Sequence, residues 1–193
     1  VEANIADFPE KNGMQDARIF YYDESKNWWS RAGVPNNMPV GEPGGPDTEM
    51  FWDFGGALEL HKVSEWKDEP CHVNCDCGRF LEIGNNVFME YQKTENGFVP
   101  LSQKNVDFGG GLERIAAAKI HNPDIFMTEL FTPIRTTLEQ LSGKVYGEGE
   151  KEVYAFRVIM DHLRGVTFMI LDGAEPSNKD QGYFTRRMLR RAI

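Results

Sequence analysis

The sequence predicts an α+β fold: an antiparallel sheet with flanking helices, followed by an all-helical segment. Two observations carry this. Apolar strand candidates linked by hairpin signals fill the first part of the chain, and no crossover helices separate them, as a parallel sheet would require. The last part instead carries apolar residues at helical spacing, so sheet comes first and helices follow.

The elements follow in order. Residues 18–23 (RIFYYD) read as a short strand and Glu49 to Asp53 as another. Between them, residues 33–47 are rich in Gly, Pro and Asn, too broken for regular structure. Phe80 to Lys93 is a long strand candidate, Thr94-Glu95-Asn96-Gly97 supplies an Asn-Gly hairpin signal, and Phe98 to Leu101 returns. Gln103 to Phe108 is a further strand, and Gly111 to Ala118 an Ala-rich helix. Leu130, Ile134, Leu138 and Leu141 mark one helical stripe, with Gly143 where a C-cap belongs. Val153, Phe156, Ile159, Met160, Leu163, Thr167 and Ile170 mark a second, and a third helix begins at Gly182. The Gly- and charge-rich stretch 142–152 is the expected domain boundary, giving residues 1–145 and 146–193.

With 193 residues, 40% hydrophobic and 26% charged, the chain has an ordinary globular composition and enough length to bury a core. No apolar run approaches a membrane span. Its three cysteines are an odd number crowded into seven residues, which speaks against a disulfide framework and for a reducing, cytoplasmic setting. The chain lacks an initiating Met and ends inside an apparent helix, so it reads as an internal piece of a longer protein. Net charge is −9, but residues 157–193 carry seven basic against four acidic side chains. An acidic body with a basic end suits a protein that grips RNA only there.

The most informative stretch is VDFGGGLER, residues 106–114. A strand enters three glycines that open into a helix, a geometry that exposes backbone N–H groups to an anion. Arg114 falls in the first helical turn, where the macrodipole disfavours a cation unless it faces a polyphosphate. The pattern is neither Gly-x-Gly-x-x-Gly nor a P-loop. Gly109-Gly110-Gly111-Leu112-Glu113-Arg114 resembles the third signature motif of class II aminoacyl-tRNA synthetases, Gly-x-Gly-x-Glu-Arg. Three further stretches, in order, narrow the resemblance to the alanyl-tRNA synthetase family. These are Asn27-Trp28-Trp29 followed by GEPGGPDTEMFWDFG, then LEIGNNVFMEYQKTENGFVPL, then RVIMDHLR followed by DGAEPSNKDQGYFTRRMLRRAI.

The resemblance implies a ligase that uses ATP and magnesium to activate L-alanine and transfer it to tRNA(Ala). Residues 1–145 would be the C-terminal part of a class II aminoacylation domain, and 146–193 the start of a helical tRNA-recognition domain. It implies Arg114 as the catalytic clamp on the γ-phosphate, with Gly109, Gly111 and Glu113 also at ATP. Asp107 would meet the α-ammonium of alanine, while Trp29, Asn85 and Val87 would shape a small pocket. Asn178, Asp180, Arg190 and Arg191 are the implied tRNA contacts. The family's first two motifs would lie in the remainder of the parent chain, leaving the isolated piece inactive. Two departures are visible: Gly84 stands where the family has Trp, and Phe108 where it has Thr. The alternative is a non-catalytic RNA-binding or regulatory paralogue, against which Asp107 and Arg114 argue.

A separate cluster, Cys71-His72-Val73-Asn74-Cys75-Asp76-Cys77-Gly78, offers three thiols and an imidazole. Cys71, His72, Cys75 and Cys77 form a candidate structural zinc set, with His61 an alternative fourth ligand. The usual paired CxxC spacing is absent.

Overall fold

Four antiparallel strands form one sheet in the order β1-β2-β3-β4: Trp28–Ser30, Pro43–Asp53, Phe80–Thr94 and Gly97–Gly110. They belong to a computed structural model that describes residues 19–193. The α+β class and the antiparallel sheet expected from the hairpin signals are both present. The described residues also form five α-helices: α1 (Leu60–Val63), α2 (Leu112–Lys119), α3 (Thr132–Ser142), α4 (Glu150–Leu171) and α5 (Asp180–Ala192).

The strand expected over 18–23 does not form. Arg18 lies outside the described residues, and residues 19–23 make no ladder. The Tyr22 N–H donates instead to the Asn27 side chain at 3.0 Å, and the first strand starts at Trp28. β2 begins earlier than expected, inside the Gly-Pro stretch, because Gly44 and Gly45 permit a close approach. A Cβ on Gly45 would fall 1.8 Å from the Phe88 carbonyl oxygen, so only glycine fits there. The β3–β4 turn also differs in detail. Its two loop residues are Glu95 and Asn96, and the positive φ falls on Gly97 (122°). The return strand, read as two pieces around Ser102, is one continuous β4.

The β2–β3 and β3–β4 registers put Glu49, Asn85 and Gly109 in one row and Asp47, Val87 and Asp107 in the next. Side chains alternate along a strand, so all six share one face. α2 packs against β3, burying Ala117 and Ala118.

The chain divides into two compact units, one reaching Pro123 and one spanning Asp124–Ile193. That division falls before the expected boundary at 145. The reason is packing: Phe126, Ile134 and Leu138, from α3 and the turn before it, join Phe131, Phe156 and Met160 in one core. Asp124 ties this unit together. It accepts from the Tyr146 hydroxyl at 2.6 Å and from Arg157 at 3.0 Å. Gly143 closes α3 at φ 66°, as its position in the sequence implies.

Candidate functional site

The shared face of the sheet opens into a cavity of about 840 Å³, bordered by Trp29, Asn85, Val87, Asp107, Gly109, Gly111 and Arg114. Seven of the residues singled out in the sequence therefore meet at one place, although they come from β1, β3, β4 and the start of α2. Glu113 is the exception among them. It sits half-buried in the first turn of α2 and is not part of the cavity wall.

Val87 is buried at the floor, and Trp29 is 40% exposed at the wall. Asn85 donates from Nδ2 to Asp47 Oδ2 at 2.8 Å. Asp107 is exposed. At Gly109 the space a Cβ would take is open, so no neighbour in the protein demands glycine there. That openness leaves the backbone accessible to a ligand. Arg114 donates from Nη1 to Glu82 Oε2 at 2.9 Å and to the Glu82 carbonyl at 3.1 Å. Glu82 thus gives Arg114 an acid partner within the protein. The pair holds the guanidinium at the cavity edge, and both bonds engage a single nitrogen of the fork.

Two carboxylates not singled out in the sequence dominate the electrostatics. Burial raises Asp47 above its ordinary value. Burial, then the negative charges of Glu82 and Asp47, pushes Glu49 up to about 7. Asp47 Oδ1, Glu49 Oε2, Asn85 Oδ1 and Trp28 Nε1 are buried without a hydrogen-bond partner, and all four residues border the cavity. Three of the four are acceptors, so the site is built for a ligand that brings donors. The signal was present in the sequence: Asp47 and Glu49 sit two apart in a strand candidate's approach, which points both to one face.

The two departures, Gly84 and Phe108, meet in space. A Cβ on Gly84 would fall 3.0 Å from Phe108 Cε2 and 2.8 Å from Met50 Cε. The Phe108 ring thus fills the volume that a side chain at 84 would need.

The expected RNA-contacting residues lie in the helical unit and are not gathered at one point. Asn178 and Asp180 flank the start of α5, and Arg190 and Arg191 its end, about 15 Å apart along the axis. Asn178 accepts from Arg186, and Arg191 donates to the Tyr154 hydroxyl at 3.3 Å. Arg187 and Arg190 are exposed. α5 is anchored by Thr185, whose hydroxyl donates to the Ala174 carbonyl at 2.8 Å. A Cβ on Gly182 would fall 2.3 Å from the Glu175 carbonyl oxygen, so the loop before α5 folds tightly onto it.

At the cysteine cluster the structure brings His61, and not His72, to the three thiols. The atoms that come together are those of His61, Cys71, Cys75 and Cys77, all within 4.8 Å of one another. His72 lies outside this group; its Nδ1 meets the Tyr22 hydroxyl at 3.2 Å. Burial pushes the Cys71 and Cys75 thiols up.

Comparison with known proteins now bears on the site. The family of class II tRNA synthetases (A) matches residues 3–193. The chain belongs to this family. Among curated relatives, the "Alanine--tRNA ligase" of Borrelia garinii subsp. bavariensis is 39% identical over 189 residues, covering 95% of this chain and 29% of that protein. The protein of the same name from Lactobacillus acidophilus is 43% identical over 183 residues, covering 88% and 20%. That of Desulfitobacterium hafniense is 42% identical over 185 residues, covering 95% and 19%. This class II synthetase chain thus spans less than a third of the length of each of these relatives. No helix among its described residues is long and apolar enough to cross a membrane.

Proposed function

We propose that this chain forms the alanine- and ATP-binding part of an alanine–tRNA ligase. The whole enzyme would activate L-alanine with ATP to alanyl-adenylate and pass the alanyl group to tRNA(Ala). The observation that carries the reading is the cavity itself. Arg114 and the glycine turn border it together with the buried acceptors of Asp47, Glu49 and Asn85. Its volume lies in the range of small-molecule sites, about 300–1,000 Å³.

The chemistry of each side chain follows. An incoming α-ammonium brings three donors to a floor rich in unpaired acceptors, with Asp107 beside it. Val87 and Trp29 limit the room for a side chain, which favours a methyl group and rejects larger ones. Arg114 is the forked cation for a terminal phosphate, already oriented by Glu82. Gly109 leaves the backbone open to adenosine, Gly111 lets the Arg114 side chain lie close over the turn, and Glu113 stands beside Arg114 in the first turn of α2. Glu49 and Glu82 offer the oxygen ligands that magnesium takes. When bound, that ion would neutralise phosphate charge. No protein nucleophile is required, because carboxylate attack on phosphate is accelerated by positioning and electrostatics. At the start of α5, Asn178 and Asp180 would read the acceptor end of tRNA(Ala), with Arg190 and Arg191 at phosphates near its end. A cytoplasmic setting fits three free thiols.

The test is alanine-dependent ATP–pyrophosphate exchange by the longer chain that carries these residues. Asp107→Asn should cost about 2 kcal/mol in kcat/KM for alanine, and Arg114→Lys should raise KM for ATP while leaving that for alanine unchanged. Preference for an amino acid larger than alanine, or full activity of Asp107→Asn, would overturn the assignment.

A further inference from the structure

We propose that His61, Cys71, Cys75 and Cys77 form a structural zinc site that pins the connection between β2 and β3. The four ligand atoms lie within 4.8 Å of one another, and Cys75 Sγ is 3.6 Å from His61 Nδ1. Zn–S bonds of about 2.3 Å and Zn–N bonds of about 2.0 Å set tetrahedral edges of about 3.5–3.8 Å. The sulfur–nitrogen edge is therefore already at bonding geometry, and the other edges need only a small contraction.

A second observation points the same way. His61 Nε2 lies 2.9 Å from the Glu69 carbonyl oxygen. A carbonyl only accepts, so Nε2 carries the ring proton and Nδ1 turns its lone pair to the three sulfurs. Fixing a histidine's tautomer through a backbone carbonyl on its far nitrogen is the usual support for a zinc ligand. The donor set is three sulfurs and one nitrogen, which suits zinc over magnesium or calcium. Four protein ligands leave no open position, so the role is structural.

The fold gives such a site something to do. Residues 54–79 hold only a short turn of helix and the four-residue α1. Among their apolar side chains only Phe54 and the cysteines at 75 and 77 are buried. A segment with so little core needs a crosslink. Gly78, at φ 84°, turns the chain from Cys77 back into the sheet. Asn74, held between two ligands, reaches the wall of the cavity and lies beside Glu49. The metal thus sets the position of one cavity residue, although the site stands whatever the cavity binds.

The test begins with the 193-residue chain purified without a histidine tag. Elemental analysis should find one zinc per chain. Replacement by cobalt(II) should give the thiolate charge-transfer and visible bands of a tetrahedral sulfur-rich site. His61→Ala and Cys71→Ser should lose both signals, and His72→Ala should keep them. Should the first two variants fail to fold, the wild-type chain still decides: stripped by a chelator, its thiols should alkylate more than about tenfold faster than after zinc is restored. Absence of zinc and of the cobalt bands, equal alkylation with and without zinc, or loss of metal in His72→Ala but not in His61→Ala would each overturn the proposal.

Discussion

Glu49 sits half-buried beside Asp47, which is buried, and Glu82, and the cost of keeping three carboxylates together falls on its proton. Its pKa rises from 4.5 to about 7. The folded state therefore holds a proton that the unfolded state has released, and between these two values stability falls as pH rises. Glu49→Gln removes that slope. The variant should be more stable than wild type above neutrality by about 1–2 kcal/mol, after allowing for solvent around a half-buried group. Urea denaturation of both proteins at about pH 5 and about pH 8 reads the difference directly. Parallel pH profiles for the two would show that Glu49 titrates as an ordinary surface acid. The same group shows what a sequence leaves out. Asp107 and Arg114 were legible because they belong to a motif. Glu49 belongs to none, and its importance comes from burial and from Glu82 across the sheet.

At the scale of elements, β3 and β4 carry the site and were the most legible part of the chain. Long apolar runs and a Gly at the turn define a hairpin locally, so its register follows from the turn. β2 was legible only in its second half. Its Gly-Pro start is a strand because Phe88 approaches it from β3, a tertiary reason invisible from within the segment. His61 was secondary to His72 for a related reason: sequence proximity favoured His72, while α1 folds His61 back onto the thiols. The Gly84–Phe108 contact yields a test of this cross-strand logic. Gly84→Trp alone should cost about 2 kcal/mol or more, because the new ring meets Phe108 and Met50. With Phe108→Thr added, most of that loss should return, giving a coupling energy above about 1 kcal/mol. Simple additivity in equilibrium unfolding of the four proteins would remove the claim that the two positions share one volume.

At the scale of the whole molecule, the described sheet ends in β4, which pairs only with β3. Phe88, Val106 and Phe108 share the face away from Val87, with exposures of 39%, 58% and 58%. An apolar face beside an open strand edge invites pairing with another chain. The 193-residue chain on its own should therefore self-associate as its concentration rises through the micromolar range, read by sedimentation velocity. It should also give no detectable alanine-dependent pyrophosphate exchange, because on the proposed reading Arg114 holds only the terminal phosphate, and catalysis by positioning needs both ends of the nucleotide held. A monodisperse monomer at all concentrations would show that the edge is covered, and robust exchange would show that the 193 residues form a complete active site.

The exchange of a ring between positions 84 and 108 changes how this chain should be weighed against its relatives. Counted column by column, a glycine where the family resemblance puts a tryptophan and a phenylalanine where it puts a threonine are two separate mismatches. In space they concern one volume: the Phe108 ring on one strand fills the room that a side chain at 84 would need on the next. A score that treats alignment columns as independent penalises this chain twice for a single shared volume. Chains of the same lineage should then carry the pair together or not at all. Finding either substitution alone in a functional relative would mean that the space is filled some other way.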